Sequence, residues 1–379
     1  MKKNVSLYIH IPFCIKKCLY CDFPSFGGMN AYFEDYVNAL CSEISEASSE
    51  FTDRKIKTIF IGGGTPTILQ PRFLGKIMDT VFTKYDVDDA EISIESNPGT
   101  LDKLKLNELM QMYFNRLSMG LQSWQDKHLK ALGRIHTADD FKRNYIEARE
   151  AGFKNINIDL MFSLPNQTIG DWEETLQNVI FLGPEHISAY SLIIEEGTPF
   201  YEMAQKGVIH EADDTLDRNM YYTANRILAQ NGYSRYEISN FAKKGYECEH
   251  NKVYWKTEEY RGFGLGAHSY INGERFHNVY DFKGYTESKG NIKKLITDVE
   301  KLSVIEKQEE FMFMGLRMTK GISESDFRDR FSHNIYDVYG DELKELIKEE
   351  LIVSQNDRLF LSERGIDVSN QVFEKFIRS

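Results

Sequence analysis

Short apolar runs and amphipathic stretches alternate along the first half of this chain. Apolar residues, many of them β-branched, concentrate at residues 7–11, 58–61, 91–95, 116–120, 155–161 and 186–192; such residues suit a pleated, buried surface. Between these runs, residues 32–45, 73–85, 140–152 and 171–182 repeat apolar positions at three- and four-residue spacing. That spacing predicts helices with one buried face. Strand and helix in strict alternation predict parallel βα units. Six such units predict an α/β fold, a partial (β/α)6 barrel, with a doubly wound sheet as the alternative. In both, functional side chains gather at the carboxyl ends of the strands.

After residue 192 the pattern changes. A helix is expected over 213–230, then an extended stretch at 236–241, a glycine- and aromatic-rich segment at 262–280 and a charged periodic segment at 286–309. The end of the chain reads as a helix at 311–318, a second at 323–331 opened by a Ser323-x-x-Asp326 capping pattern, and a third at 338–350. Residues 352–354 and 358–361 would form a hairpin around Asn356 and Asp357. This order predicts three regions: a core over 1–235, an extension over 236–300 and a small, mostly helical, winged-helix-like domain over 301–379.

Charge narrows the partners. The chain carries 46 Lys and Arg against 58 Asp and Glu, a net charge of −12. The presumptive recognition helix of the terminal domain holds Asp341, Glu342, Glu345, Glu349 and Glu350 against Lys344 and Lys348. Phosphate backbones require the opposite sign, so nucleic acid is not an expected partner and the domain reads as a packing or interaction unit. No apolar run approaches a membrane span, and the first residues lack the apolar core of a signal peptide. Peripheral membrane contact stays open. Unpaired thiols point to the reducing cytoplasm.

The chemistry begins at Cys14, Cys18 and Cys21, directly after the first strand. Three thiols at this spacing can grip an iron–sulfur cluster and leave one iron free of protein. Zinc is the rival, but structural zinc sites want four ligands, and Cys41, Cys248 and His10 stand apart from the motif. Gly62, Gly63 and Gly64, followed by Thr65, come after the second strand, where bare backbone can approach a ligand. The triplet lacks the Lys-Ser/Thr ending of a phosphate loop. Glu95 ends the third strand, Gln122 follows the fourth, Arg134 comes later, and Asp159 interrupts an apolar strand where an unpaired charge is costly.

The cysteine spacing, with Tyr20 before the last Cys, resembles the signature of the radical S-adenosylmethionine (SAM) superfamily. The resemblance implies a 4Fe–4S cluster on the three cysteines, SAM on its fourth iron, and reductive cleavage of SAM to a 5′-deoxyadenosyl radical. The runs 8–14, 62–67, 120–123, 132–136 and 159–165 resemble the oxygen-independent coproporphyrinogen oxidase family. That resemblance implies SAM contacts at Tyr8, Gly63, Gly64, Thr65 and Glu95, with Tyr20 beside the cluster. It also implies that Gln122, Arg134, Asp159 and Ile193 line the same cavity and a second SAM.

Two departures point to a subfamily. The oxidases carry a fourth Cys where this chain has Phe23, and an N-terminal arm where only 13 residues precede Cys14. The combination resembles the HemW-type heme chaperones, as does His250-Asn-x-x-Tyr254-Trp255. An imidazole is a competent axial ligand for heme iron, so the resemblance implies heme on His250, with Cys248, His268 and His277 as lesser candidates. The expected activity is delivery of heme to acceptor hemoproteins such as respiratory cytochromes, from a protein for which a homodimer is expected. The alternative is oxidative decarboxylation of coproporphyrinogen. A zinc-stapled DNA binder is the remote third reading. Whether SAM is cleaved does not follow from the sequence.

Overall fold

The computed structural model describes residues 2–378. Six strands, β1 (Lys3–Ile11), β2 (Arg54–Gly63), β3 (Val87–Ser96), β4 (Arg116–Gln122), β5 (Ile156–Phe162) and β6 (His186–Ser191), lie side by side in sequence order. Each pairs in parallel with the next. Parallel strands are covered on both faces; all seven residues of β4 are buried, and Leu7, Ile9, Ile59, Ile61, Leu117 and Ile158 are fully so. The expected α/β partial barrel is therefore the observed fold.

The crossover helices have locally encoded ends. Thr137 and Asp140 form a capping box at the start of helix Ala138–Ala151, and Gly152 closes it with φ 108°. Thr168, Asp171 and Gly183 do the same for Ile169–Leu182. Reciprocal side-chain caps satisfy the free amides at a helix start, and a left-handed glycine ends the helix without a Cβ clash.

Residues 234–301 extend this sheet at both edges. Strands β7 (Ser234–Arg235) and β8 (Asn240–Ala242) add antiparallel strands beyond β6. On the other side β9 (Tyr260–Phe263) pairs in parallel with β1, followed by antiparallel β10 (His268–Ile271), β11 (Glu274–Asn278) and β12 (Ile296–Lys301). The twelve-stranded order is β12-β11-β10-β9-β1-β2-β3-β4-β5-β6-β8-β7. A seventh parallel strand was not expected, because Tyr-Arg-Gly-Phe has no apolar run. Its place depends instead on a buried ion pair. Arg261 meets Glu43 of helix Phe33–Ala47 at 3.5 Å, and Glu43 also accepts from Tyr285, Asn278 and the Gly264 amide.

The C-terminal module holds helices Val304–Gly315, Glu324–Phe331 and Ile335–Lys348 and a small antiparallel sheet. Its strands β13 (Ile322–Ser323), β14 (Ile352–Gln355) and β15 (Arg358–Leu361) run in the order β13-β15-β14. Asn356 and Asp357 both adopt positive φ, as the two-residue hairpin requires. The first helix starts at Val304 rather than near 311, because Ser303 and Glu306 form a capping box inside what read as a charged segment. Among the described residues no helix is long and apolar enough to cross a membrane.

Candidate functional site

Pro12 ends β1, and the fully buried Phe13 packs 4.6 Å from the ring of Phe33. This anchors Cys14 at the carboxyl edge of the sheet. Phe13–Cys14 then pairs with Phe26–Gly27, closing the loop that carries Cys18 and Cys21. The His10 ring braces that loop, with Nε2 2.9 Å from the Pro24 carbonyl and Nδ1 2.9 Å from the Tyr8 hydroxyl.

All three thiols line one cavity of about 450 Å³, a size typical of small-molecule sites. Tyr20, Gly63, Gly64, Glu95 and Gln122 line it too, as do Arg134, Asp159 and Ile193. Tyr8 and Thr65 stand behind this wall. Among the described residues no three His, Cys, Asp or Glu side chains converge on a single ion. Three thiols on the wall of one cavity can each take one iron of a cluster. Burial pushes the Cys14 and Cys21 thiols up, so ligation must displace their protons.

The cluster loop is tied to the barrel by a hydrogen-bond chain. Thr65 Oγ1 donates to Cys14 Sγ at 3.7 Å and accepts from Asn97 Nδ2 at 2.7 Å. Asn97 Oδ1 accepts from Arg134 Nη2 at 2.6 Å, and Arg134 Nη1 donates to Cys18 Sγ at 3.5 Å. Asn97 was missed in the sequence. Its signal was position: it stands two residues past Glu95, just beyond the carboxyl end of β3.

The glycines are required by space. A Cβ on Gly63, whose φ is +111°, would lie 2.4 Å from the His10 ring. One on Gly64 would lie 2.5 Å from the Phe13 carbonyl oxygen. This close approach leaves the Gly63 amide free to donate to Glu95 at 3.1 Å. Burial, with the nearby Asp159 charge second, pushes Glu95 up to about 8. Burial also raises Asp159, although Asn157 and Ser118 hydrogen-bond to it. The floor of the cavity thus holds two carboxyls that favour protonation until a cation arrives. Gln122 reaches the cavity through a left-handed φ of 72° at a register shift between β4 and β5. Ile193 and Phe23 stand at its rim, 65% and 59% exposed.

His250, expected to hold heme, does not line this cavity. It is the second residue of helix Glu249–Trp255, which packs on β2 and β3 at Thr58, Phe60 and Glu91. Glu91 of β3 receives the amides of Glu249 and His250, each at 3.1 Å. The imidazole is 1% exposed and stacks on Phe60 at 5.0 Å. Its Nδ1 lies 2.7 Å from Thr58 Oγ1 and its Nε2 2.9 Å from Tyr254 Oη, so both nitrogens are engaged. Burial, with Arg116 second, lowers its pKa to about 3. Cys248 is likewise fully buried, its thiol on Glu91.

Comparison with known proteins agrees with this geometry. Residues 8–179 match the radical SAM superfamily, and residues 302–368 match the HemN C-terminal domain. The heme chaperone HemW of Bacillus subtilis is 39% identical over 98% of this chain and 99% of its own. That of Lactococcus lactis is 34% identical over 100% and 98%. Radical S-adenosyl methionine domain-containing protein 1, mitochondrial, of Danio rerio is 32% identical over 97% and 84%. The structure of coproporphyrinogen III oxidase (HemN) from Escherichia coli, a radical SAM enzyme, superposes with a TM-score of 0.86 at 23% identity, covering 99% of this chain and 90% of that one. That likeness shows the shared fold.

Proposed function

The chain belongs to the family of the heme chaperone HemW and carries a radical SAM domain, and from that premise we propose that it binds heme and delivers it to acceptor hemoproteins in the cytoplasm. The observation that carries this reading is the end-to-end match to relatives bearing that name, from the cluster loop through the C-terminal module. Respiratory cytochromes are the acceptors we favour. In this reading Cys14, Cys18 and Cys21 hold the 4Fe–4S cluster, which the superfamily implies together with SAM. Gly63, Gly64 and Glu95 receive the SAM amino acid end. Gln122, Arg134 and Asp159 shape the rest of its cavity, Tyr20 covers the cluster side, and Ile193 guards the rim. Tyr8 and Thr65 act from behind, through His10 and Cys14. When bound, the cluster would supply the electron that splits SAM.

A second reading, decarboxylation of coproporphyrinogen, is favoured by one observation: Gln122, Arg134 and Asp159 line the same cavity as the three cluster thiols, where a radical reaction would take place. One anaerobic, cluster-loaded preparation separates the two. Heme titration followed by absorbance should give saturable binding, while coproporphyrinogen with SAM and a reductant should yield no protoporphyrinogen. Protoporphyrinogen formation without heme uptake would replace the chaperone with the enzyme. Size-exclusion chromatography with and without SAM tests the proposed homodimer, and flotation with vesicles tests membrane contact.

A further inference from the structure

Asn157 and Asp159 stand two residues apart on β5 and so share the face that meets the SAM cavity. The neighbouring strands add polar groups to that face. Ser118 of β4 pairs with Asn157, His186 of β6 pairs with Asn157 from the other side, and Ser188 pairs with Asp159. Ser118, Asn157, His186 and Ser188 are buried, and of this group Asp159 alone lines the cavity.

Charge fixes the direction of the hydrogen bonds among them. An ionised Asp159 can only accept, so Asn157 Nδ2 donates to its Oδ1 at 2.8 Å and Ser118 Oγ to its Oδ2 at 3.0 Å. The Asn157 carbonyl oxygen is thereby turned to His186 Nδ1 at 2.6 Å and Ser188 Oγ at 3.1 Å. Burial lowers the His186 pKa well below its usual value, so the ring is neutral and carries one proton. That proton sits on Nδ1, because the Asn157 oxygen can only accept. Nε2 therefore accepts from the Tyr236 hydroxyl at 2.9 Å, and Tyr236 Oη accepts in turn from the Cys248 amide at 3.3 Å. Every donor in the series Cys248, Tyr236, His186, Asn157 points towards Asp159.

Asp159 needs this support, because its surroundings pull in both directions. Burial and the Glu95 charge on β3 oppose its ionisation. Arg116 of β4 and Arg134 favour it, and the hydroxyls of Tyr20 and Tyr190 lie within its electrostatic reach. We propose that Asn157 and His186 are positioning residues for the SAM cavity, aiming Asp159 and holding it as a carboxylate for its cationic ligand through this one-way chain. The inference rests on the SAM reading of the cavity given above. Hydrogen bonds in series polarise one another. A change at Tyr236, which does not line the cavity, is therefore felt at Asp159 through His186 and Asn157.

The test is calorimetric SAM titration of the full, cluster-loaded chain under anaerobic conditions. His186→Asn keeps an amide donor near the place of Nδ1, whereas His186→Gln reaches the place of Nε2 and leaves Asn157 without that donor. His186→Gln should weaken SAM binding about fivefold, and His186→Asn by no more than about twofold. In an Asp159→Asn background, His186→Gln should cost no further affinity, a result that a merely structural role would not produce. Thermal unfolding checks that each variant is folded. Tyr236→Phe removes a single oxygen and frees the imidazole to move its proton to Nε2. It should weaken binding about threefold, and it decides the matter where the His186 variants do not fold. If wild-type protein binds SAM and both His186→Gln and Tyr236→Phe bind it equally well, the chain does not serve the site, although the SAM reading stands. Equal weakening in His186→Asn and His186→Gln would overturn the proposal too. If wild-type protein binds no SAM, both the proposal and the SAM reading fall.

Discussion

Asn97 Oδ1 and Arg134 Nη2 lie 2.6 Å apart, and that hydrogen bond closes a chain of contacts between two cluster thiols. Thr65 carries the chain to Cys14, and Arg134 carries it to Cys18. Hydrogen bonds to ligating sulfurs stabilise the more negative, reduced cluster.

Asn97→Ala should therefore leave iron and sulfide content unchanged and move the reduction potential of the cluster to more negative values. An EPR-monitored redox titration measures this. An unchanged potential would mean that Asn97 merely fills space.

Cys14→Ala, Cys18→Ala or Cys21→Ala should each abolish the cluster, which in wild-type protein should amount to about four irons and four sulfides per chain. Iron and sulfide analysis after anaerobic reconstitution checks this. Stoichiometric zinc without sulfide would contradict it.

Glu95, pushed up to about 8, is mostly protonated at neutral pH. SAM is cationic at its sulfonium and ammonium, so it binds the ionised carboxylate better. Affinity for SAM should climb as pH approaches about 8 and level off above it. Glu95→Gln should flatten that profile and weaken binding by about 1.5–3 kcal/mol. Calorimetric titration at several pH values reads both effects.

His250→Ala should destabilise the fold, because it opens a cavity and strands the hydroxyls of Thr58 and Tyr254. The expected loss is about 3–5 kcal/mol, read by urea unfolding. The pH dependence has a definite sign. The native imidazole stays neutral down to about 3, while the unfolded one takes a proton near 6.5. Between those values the unfolded state binds more protons, so stability falls as pH falls, by about 1.4 kcal/mol per unit for this group. His186, also lowered by burial, acts in the same direction. The variant should therefore show a shallower acid dependence, not a flat one.

Much of the site was legible because its chemistry is written in short spacings. Cys14, Cys18 and Cys21 fall within one loop, and the glycines and Glu95 fall at strand ends that alternation alone predicts. Residues expected by resemblance to share a cavity, Gln122, Arg134, Asp159 and Ile193, do share one. Asn97 escaped notice because an asparagine before proline reads as a turn. The strand at Tyr260–Phe263 escaped because its four residues owe their place to Arg261 and Glu43, 218 positions apart.

His250 marks the limit most sharply. The sequence by itself determined the βα alternation, the thiol triad, the glycine triplet at a strand end and the helix caps, since these are written in spacings among residues near in the chain. Only the tertiary structure decided that the imidazole is walled in, because its partner Thr58 comes from a strand 192 residues earlier. Ligand and core histidines have the same local pattern. Burial and hydrogen-bond closure are properties of the packed barrel.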